Sequence, residues 1–382
     1  MSEYQYYEFQ AIDRPLTEKE MGELRLYSTR ARITPTSFVN DYSWGNFKGN
    51  IDGWVEKYFD AFLYFANWGT HVFKLRLPSL LLDLKTAHLY CSGEGAFAHE
   101  KNDKVILSFL SECEGGGEWV EGEGLLSSLI SIRAEIARGD LRCLYLGWLL
   151  CAQNGELDEE DVEPPVPPGL GQLTASLESL VDFLRIDQNL IYVAAQASGP
   201  WEGAKYKQEE IREWIGTLPA EEKDDVLAKL IANEDPILTK ELFRRFIKER
   251  GSGNPPIAEK SERRTVGELL QAAGEHAEER RRAAAKKAAE EKARREREAA
   301  ESRAKYLDEI AKLEPNLWTQ VENLVSTKQP KSYDQAVLLL VDLRDLGVRR
   351  GKTDEFEAKL NALRAAQARK PSFIERLRKA RL

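Results

Sequence analysis

His71, His88, Cys91, His99 and Cys113 are the densest group of side chains in the sequence that could bind a metal or activate a thiol. Structural zinc needs four such ligands converging on a tetrahedron. His88 and Cys91 stand three apart, so on a strand they point to opposite faces, and no CxxC pair supplies a second arm. The group therefore predicts core cysteines and surface histidines rather than a metal site. A cysteine hydrolase requires a thiolate held by a histidine and a third, orienting group. Cys91 or Cys113 could pair with His71 or His99, but neither cysteine lies in a strand-to-helix turn of the kind that exposes a nucleophile. Cys143 and Cys151 sit eight residues apart in an apolar helical stretch and read as core. GxSxG, GxxxxGK[ST], HExxH and EF-hand patterns are all missing, and the glycines of EGGGEWVEGEG lie among glutamates that repel phosphate. No catalytic residue, no metal ligand and no cofactor is expected.

Recognition chemistry is easier to place. Tyr42, Trp44 and Phe47 lie in DYSWGNFKGN, a glycine-containing loop. Loop aromatics either anchor interfaces or pack onto their own domain. The residues expected to touch a partner are Trp44 and Phe47 near the start of the chain and Tyr333, Arg349 and Arg350 near its end. Arg280–Arg282 and Arg294, Arg295 and Arg297 are flanked by glutamates, which describes a solvated face rather than a phosphate track.

The elements that must carry these residues change character along the chain. Through the first 162 residues period 2 alternates with period 3.6, the pattern of an α+β domain. Tyr7, Phe9 and Ala11 share one face of a strand, and Thr17 with Glu20 forms a capping box. RITPTSFVNDY is extended and interrupted at Pro35. Trp54, Tyr58, Phe62 and Phe65 recur at helical spacing, predicting a helix from Asp52 to Asn67. HVFKLRL alternates as a strand, and Lys101-Asn102-Asp103 predicts a hairpin turn. LLSSLISIRAEIA and DLRCLYLGWLLCAQN read as helices, the second capped by Asp140.

EPPVPPGLG places a linker at 163–172, followed by a helical domain over 173–250 and a second linker at 251–264. In that helical domain Asp187 and Asp235-Pro236 open helices and Pro219 sits in a first turn. Residues 265–313 predict one long charged helix. Between Leu270 and Tyr306 there is no large aliphatic or aromatic residue, and Glu278/Arg282 and Glu290/Arg294 are favourable pairs four apart. A leucine coiled coil is disfavoured there, which leaves a single helix, free of glycine and proline from Glu275 to Leu313, whose stretch of roughly 58 Å acts as a semi-rigid spacer. Pro315 opens the last segment, 314–382, whose four apolar faces make a helical bundle with Trp318 in its core. YDQAVLLLVDLRDLGVRRGKTDEFEAKLNALR resembles a single tetratricopeptide unit, whereas an array needs about three.

At 382 residues the chain is long enough for two or three domains. Residues 1–200 hold 16 Lys and Arg against 30 Asp and Glu, whereas residues 329–382 hold 13 against 7. The acidic front is a poor nucleic-acid surface, and only the basic end could offer a weak, salt-dependent one. No apolar run approaches a membrane span, and MSEYQYYEFQ is unlike a signal peptide. A cytoplasmic protein with no membrane partner is expected.

Three stretches resemble a family of bacterial proteins without an assigned activity: MSEYQYYEFQAIDRPLTEKEM, GWLLCAQNGELDEEDVEPPVPPGL and QPKSYDQAVLLLVDLRDLGVRRGKTDEFEAKLNALRAAQARKPSFIERL. From about Leu218 onward the chain also resembles the C-terminal part of bacterial SWIM zinc-finger proteins. Their CxC and CxH motif is missing here, so the resemblance implies a shared helical tail and a docking role, with neither zinc nor DNA binding. The reading is a non-catalytic interaction or scaffold protein with a protein partner. The alternatives are a hydrolase with its site in the α+β head and a nucleic-acid accessory protein using the basic tail.

Overall fold

The structure, a computed structural model, describes residues 3–113, 122–201, 208–232, 238–249 and 263–382. Most of EGGGEWVEGEG, the Asp235-Pro236 helix start and nearly all of the 251–264 linker lie outside the described residues. An α+β head is followed by all-α segments, a very long helix and a C-terminal helical bundle, and the chain forms two compact units, Met1–Glu279 and Arg280–Leu382.

Seven strands make one antiparallel sheet in the order β2-β3-β1-β4-β5-β7-β6. They are β1 (Gln5–Gln10), β2 (Arg32–Thr34), β3 (Ser37–Tyr42), β4 (Ala61–Ala66), β5 (His71–Pro78), β6 (Ala96–Lys101) and β7 (Lys104–Ser111). The expected hairpin turn joins β6 to β7, with Asn102 and Asp103 both at positive φ as a type I′ turn demands. On one face Phe9 stands between Phe38 and Phe62 in register. That layer is closed by α1 (Glu18–Arg25), which starts at the expected Thr17/Glu20 capping box, and by α2 (Ile51–Lys57). On the other face Leu63, Phe73, Leu75 and Phe109 meet α3 (Leu84–His88), α4 (Leu125–Leu129), α5 (Ile132–Ala137) and α6 (Arg142–Gln153).

The helix expected over Asp52–Asn67 is instead α2 followed by β4 at the middle of the sheet. Successive residues of AFLYFA face opposite core layers and both layers are apolar, so no polar alternation marks the strand. The expected helix over 125–137 is broken into α4 and α5, and α6 has Leu141 as its N-cap while Asp140 accepts the Arg142 amide.

The proline-rich stretch 163–172 does not separate two cores. Beyond it α7 (Ala175–Leu184) and α8 (Gln188–Ala195) bury Leu177, Leu180, Leu184 and Leu190 in the same cluster as the sheet. α9 (Gln208–Thr217) and α11 (Leu238–Glu249), on either side of α10 (Ala220–Ala232), form a separate small core around Trp214, Leu218 and Phe246.

Residues 159–163, which lead into the proline-rich stretch, seat the long helix α12 (Val266–Ser326). Val162 bridges Thr265, and the amides of Val266 and Gly267 donate to the Asp161 and Glu159 carbonyls. Arg264 grips Glu163 through two hydrogen bonds of 2.8 and 2.9 Å, and Tyr145 donates its hydroxyl to the same carboxylate. Val266, Leu269 and Ala273 complete the seat in the head core.

Every residue from 278 to 302 is exposed, and Lys292–Glu296 and Arg294–Glu298 are ion pairs four residues apart. Limited trypsin digestion is expected to cut among Arg280–Arg297 and to leave two resistant fragments, read by mass spectrometry. Protection of all those sites would mean that this stretch is packed.

The helix does not stop before Pro315. The ring removes one amide from the ladder, at a cost of about 3 kcal/mol, but Leu307 and Ile310 before it and Val321 and Val325 after it are all buried. α13 (Pro330–Arg349), α14 (Thr353–Ala366) and α15 (Pro371–Lys379) then close the bundle around Leu340, Leu343, Leu360 and Phe373. Trp318 is half-buried at the rim of this core rather than central, tilted onto Phe356 with the Lys359 ammonium 5.5 Å above its ring.

Candidate functional site

The residues able to do chemistry are held apart. His71 is buried, not on the surface: it lies on β5 beneath α7, stacked 4.8 Å from Phe183. Arg185 can only donate, so its Nη2 contact of 2.7 Å makes His71 Nε2 the acceptor, and Nδ1 donates to the Phe183 carbonyl at 2.6 Å. Burial, with Arg185 beside it, pulls the His71 pKa down to about 4. His71 therefore lowers stability as pH falls from the ordinary histidine value of about 6.5 toward 4, the window where the unfolded chain alone binds the proton. Proton NMR should show an imidazole that does not titrate between about pH 8 and 5.5; a midpoint near 6.5 would refute the buried neutral ring.

His88 donates to the Ala98 carbonyl, and His99 stacks on Phe97. Cys91, Cys143 and Cys151 are buried, as expected of core cysteines, and Cys113 is exposed. Burial pushes the Cys91 and Cys143 thiols well up, and burial with the neighbouring Glu156 pushes Cys151 up to about 12, so all three stay protonated. Among the described residues no three His, Cys, Asp or Glu side chains converge as a metal would require.

The tertiary structure assembles a charged cluster that no local motif announces. Asp60, 1% exposed, accepts Arg76 Nε and Nη2 at 3.1 and 2.8 Å through one oxygen and the amides of Ile12 and Asp13 at 2.7 and 2.8 Å through the other. Arg133 joins them, donating to the Arg76 carbonyl and to Asp13. Asp60 thus ties β5 and the chain leaving β1 to the start of β4, and Arg133 of α5 joins both, so the cluster braces the sheet.

In the second unit Tyr333 is a core residue, its ring tilted against Phe373 at 5.5 Å. Arg349 donates to the Ala304 carbonyl and to Asp308, and Arg350 pairs with Glu314 at 3.3 Å. These three expected contact residues therefore hold α13 within its own bundle. Beside them, where α12 runs along α13, an open groove of about 580 Å³ is lined by Tyr306, Leu324, Leu338, Leu339 and Val341. Leu338 is 66% exposed. Arg303 forms one edge, fixed by Asp342 at 2.6 Å and Asp345 at 2.8 Å, and Gln320 and Gln335 also line it. The arginines drew attention in the sequence because they are charged; the groove was hidden because Leu338 belongs to the run VLLLV, whose faces only the bundle separates.

Of the two loop aromatics in the head, Phe47 packs inward against Tyr7 and Trp54, while Trp44 is 72% exposed. Among the described residues no helix is long and apolar enough to cross a membrane. Compared with family models, curated proteins and solved structures, the chain matches none.

Proposed function

We propose that this chain is a non-catalytic interaction protein whose C-terminal unit docks an amphipathic helix of a partner protein. The observation that carries the reading is the groove between α12 and α13, with an apolar lining, an exposed Leu338 and an Arg303 edge already paired within the unit. A channel between two helices matches a third helix presenting apolar residues at spacings of three and four. The resemblance of the tail to those of bacterial SWIM zinc-finger proteins is in keeping with a docking role.

Leu338→Glu places a charge on the apolar lining without touching the bundle core. Affinity purification of the tagged full-length chain is expected to recover partners that the variant loses, while its thermal melt stays within a few degrees of the parent. Identical partner sets from the two chains would remove the groove from the reading.

A further inference from the structure

We infer that the head carries a second docking surface, built on Trp44 and Arg30, for an acidic peptide segment of a partner protein in which carboxylates flank an apolar side chain. Leu26 is 86% exposed, its neighbour in sequence Tyr27 is exposed too, and so is Trp44. They are connected from beneath. Tyr27 meets Trp54 edge-on at 5.3 Å, Trp54 meets Phe47 at 4.9 Å, and Phe47 belongs to the loop that carries Trp44. The Arg30 guanidinium lies 5.7 Å from the Trp44 ring centroid. An exposed Trp, Tyr and Arg on a rigid floor is the composition that dominates binding energy at protein interfaces.

Charge identifies the occupant. In this acidic head the cations are mostly consumed by carboxylates: Arg14 by Glu20, Lys57 by Glu23, Lys74 by Asp52 and Arg76 by Asp60. Around Trp44 the pattern reverses. Among the described residues Arg25 donates only to the carbonyls of Ser28, Thr29 and Ala31, Arg30 meets only the indole, and Lys48 on the Trp44 loop has no ion pair. These three cations beside an uncovered apolar surface suit a peptide that brings carboxylates together with an apolar side chain. A polynucleotide would carry its phosphates across the rest of an acidic head, where the field opposes them.

The test pans a displayed library of random dodecapeptides on the full-length protein. Recovered peptides are expected to place Asp or Glu on both sides of a Leu, Phe or Trp. A fluorescent copy of one should lose about tenfold or more in affinity to Trp44→Ser and to Arg30→Glu, and weaken as salt rises. Lys85→Glu, an exposed charge reversal elsewhere on the head, should bind as the parent does. Both patch residues are exposed, so circular dichroism melts of the variants should match the parent and separate lost binding from lost folding. Recovery of no acid-flanked peptide, or binding indifferent to Trp44→Ser, overturns the proposal. So does either of two other occupants: an oligothymidylate whose binding is lost in the same variants, or concentration-dependent self-association that Trp44→Ser abolishes.

Discussion

Phe373→Ala is expected to unfold the C-terminal bundle and leave the head intact. The ring is fully buried, and it rests on Tyr333 within a core supplied by α12 to α15. Truncating such a side chain costs about 3–5 kcal/mol, comparable to the whole stability of a small helical module. Hydrogen exchange read by mass spectrometry should show protection lost across 330–382 and retained in β4 and β5. Trp318→Ala, at the half-buried rim, should cost about half as much and leave the bundle folded. Full protection of the tail in the Phe373 variant would mean that the bundle core is not the one described.

The second large effect belongs to Asp60→Ala. Removing this carboxylate leaves the Arg76 guanidinium buried and strands the Ile12 and Asp13 amides. Breaking one side of a buried pair costs about 3–5 kcal/mol, whereas Asp52→Ala, in the exposed pair with Lys74, should cost less than about 1 kcal/mol. Chemical denaturation of the head should separate the two variants clearly, and equal midpoints would refute the brace.

The pH dependence carries its own sign. Burial pushes the Asp60 carboxyl up, but the Arg76 charge and the two amides outweigh it and hold its pKa below the ordinary carboxylate value. Its contribution is therefore complete above the unfolded-state value and is lost as pH falls through the lowered one. Asp60→Ala should flatten the acid limb of the head's stability curve, leaving the His71 contribution at higher pH unchanged.

What the sequence by itself determined is what a few neighbouring residues can settle. Thr17 and Glu20 satisfy each other's amides within one turn, Asn102 and Asp103 accept the positive φ that a tight hairpin requires, and Asp187 caps α8. The solvated stretch of α12 is legible for the same reason, since alanine with alternating charges forms a helix without needing a partner surface. Tertiary structure decided whatever depends on surfaces far apart in sequence. β4 is a strand because two apolar layers cover its two faces. The segment 159–163 is a seat because Glu163 meets Arg264, 101 residues away. Pro315 is carried through because buried contacts on either side outweigh the missing hydrogen bond. The same holds for the candidate surfaces. Trp44 and Phe47 are both loop aromatics, and Tyr333 and Leu338 both sit on α13. Burial depends on what the rest of the fold lays against each residue, so only the packed structure turned Phe47 and Tyr333 inward and left Trp44 and Leu338 open to a partner.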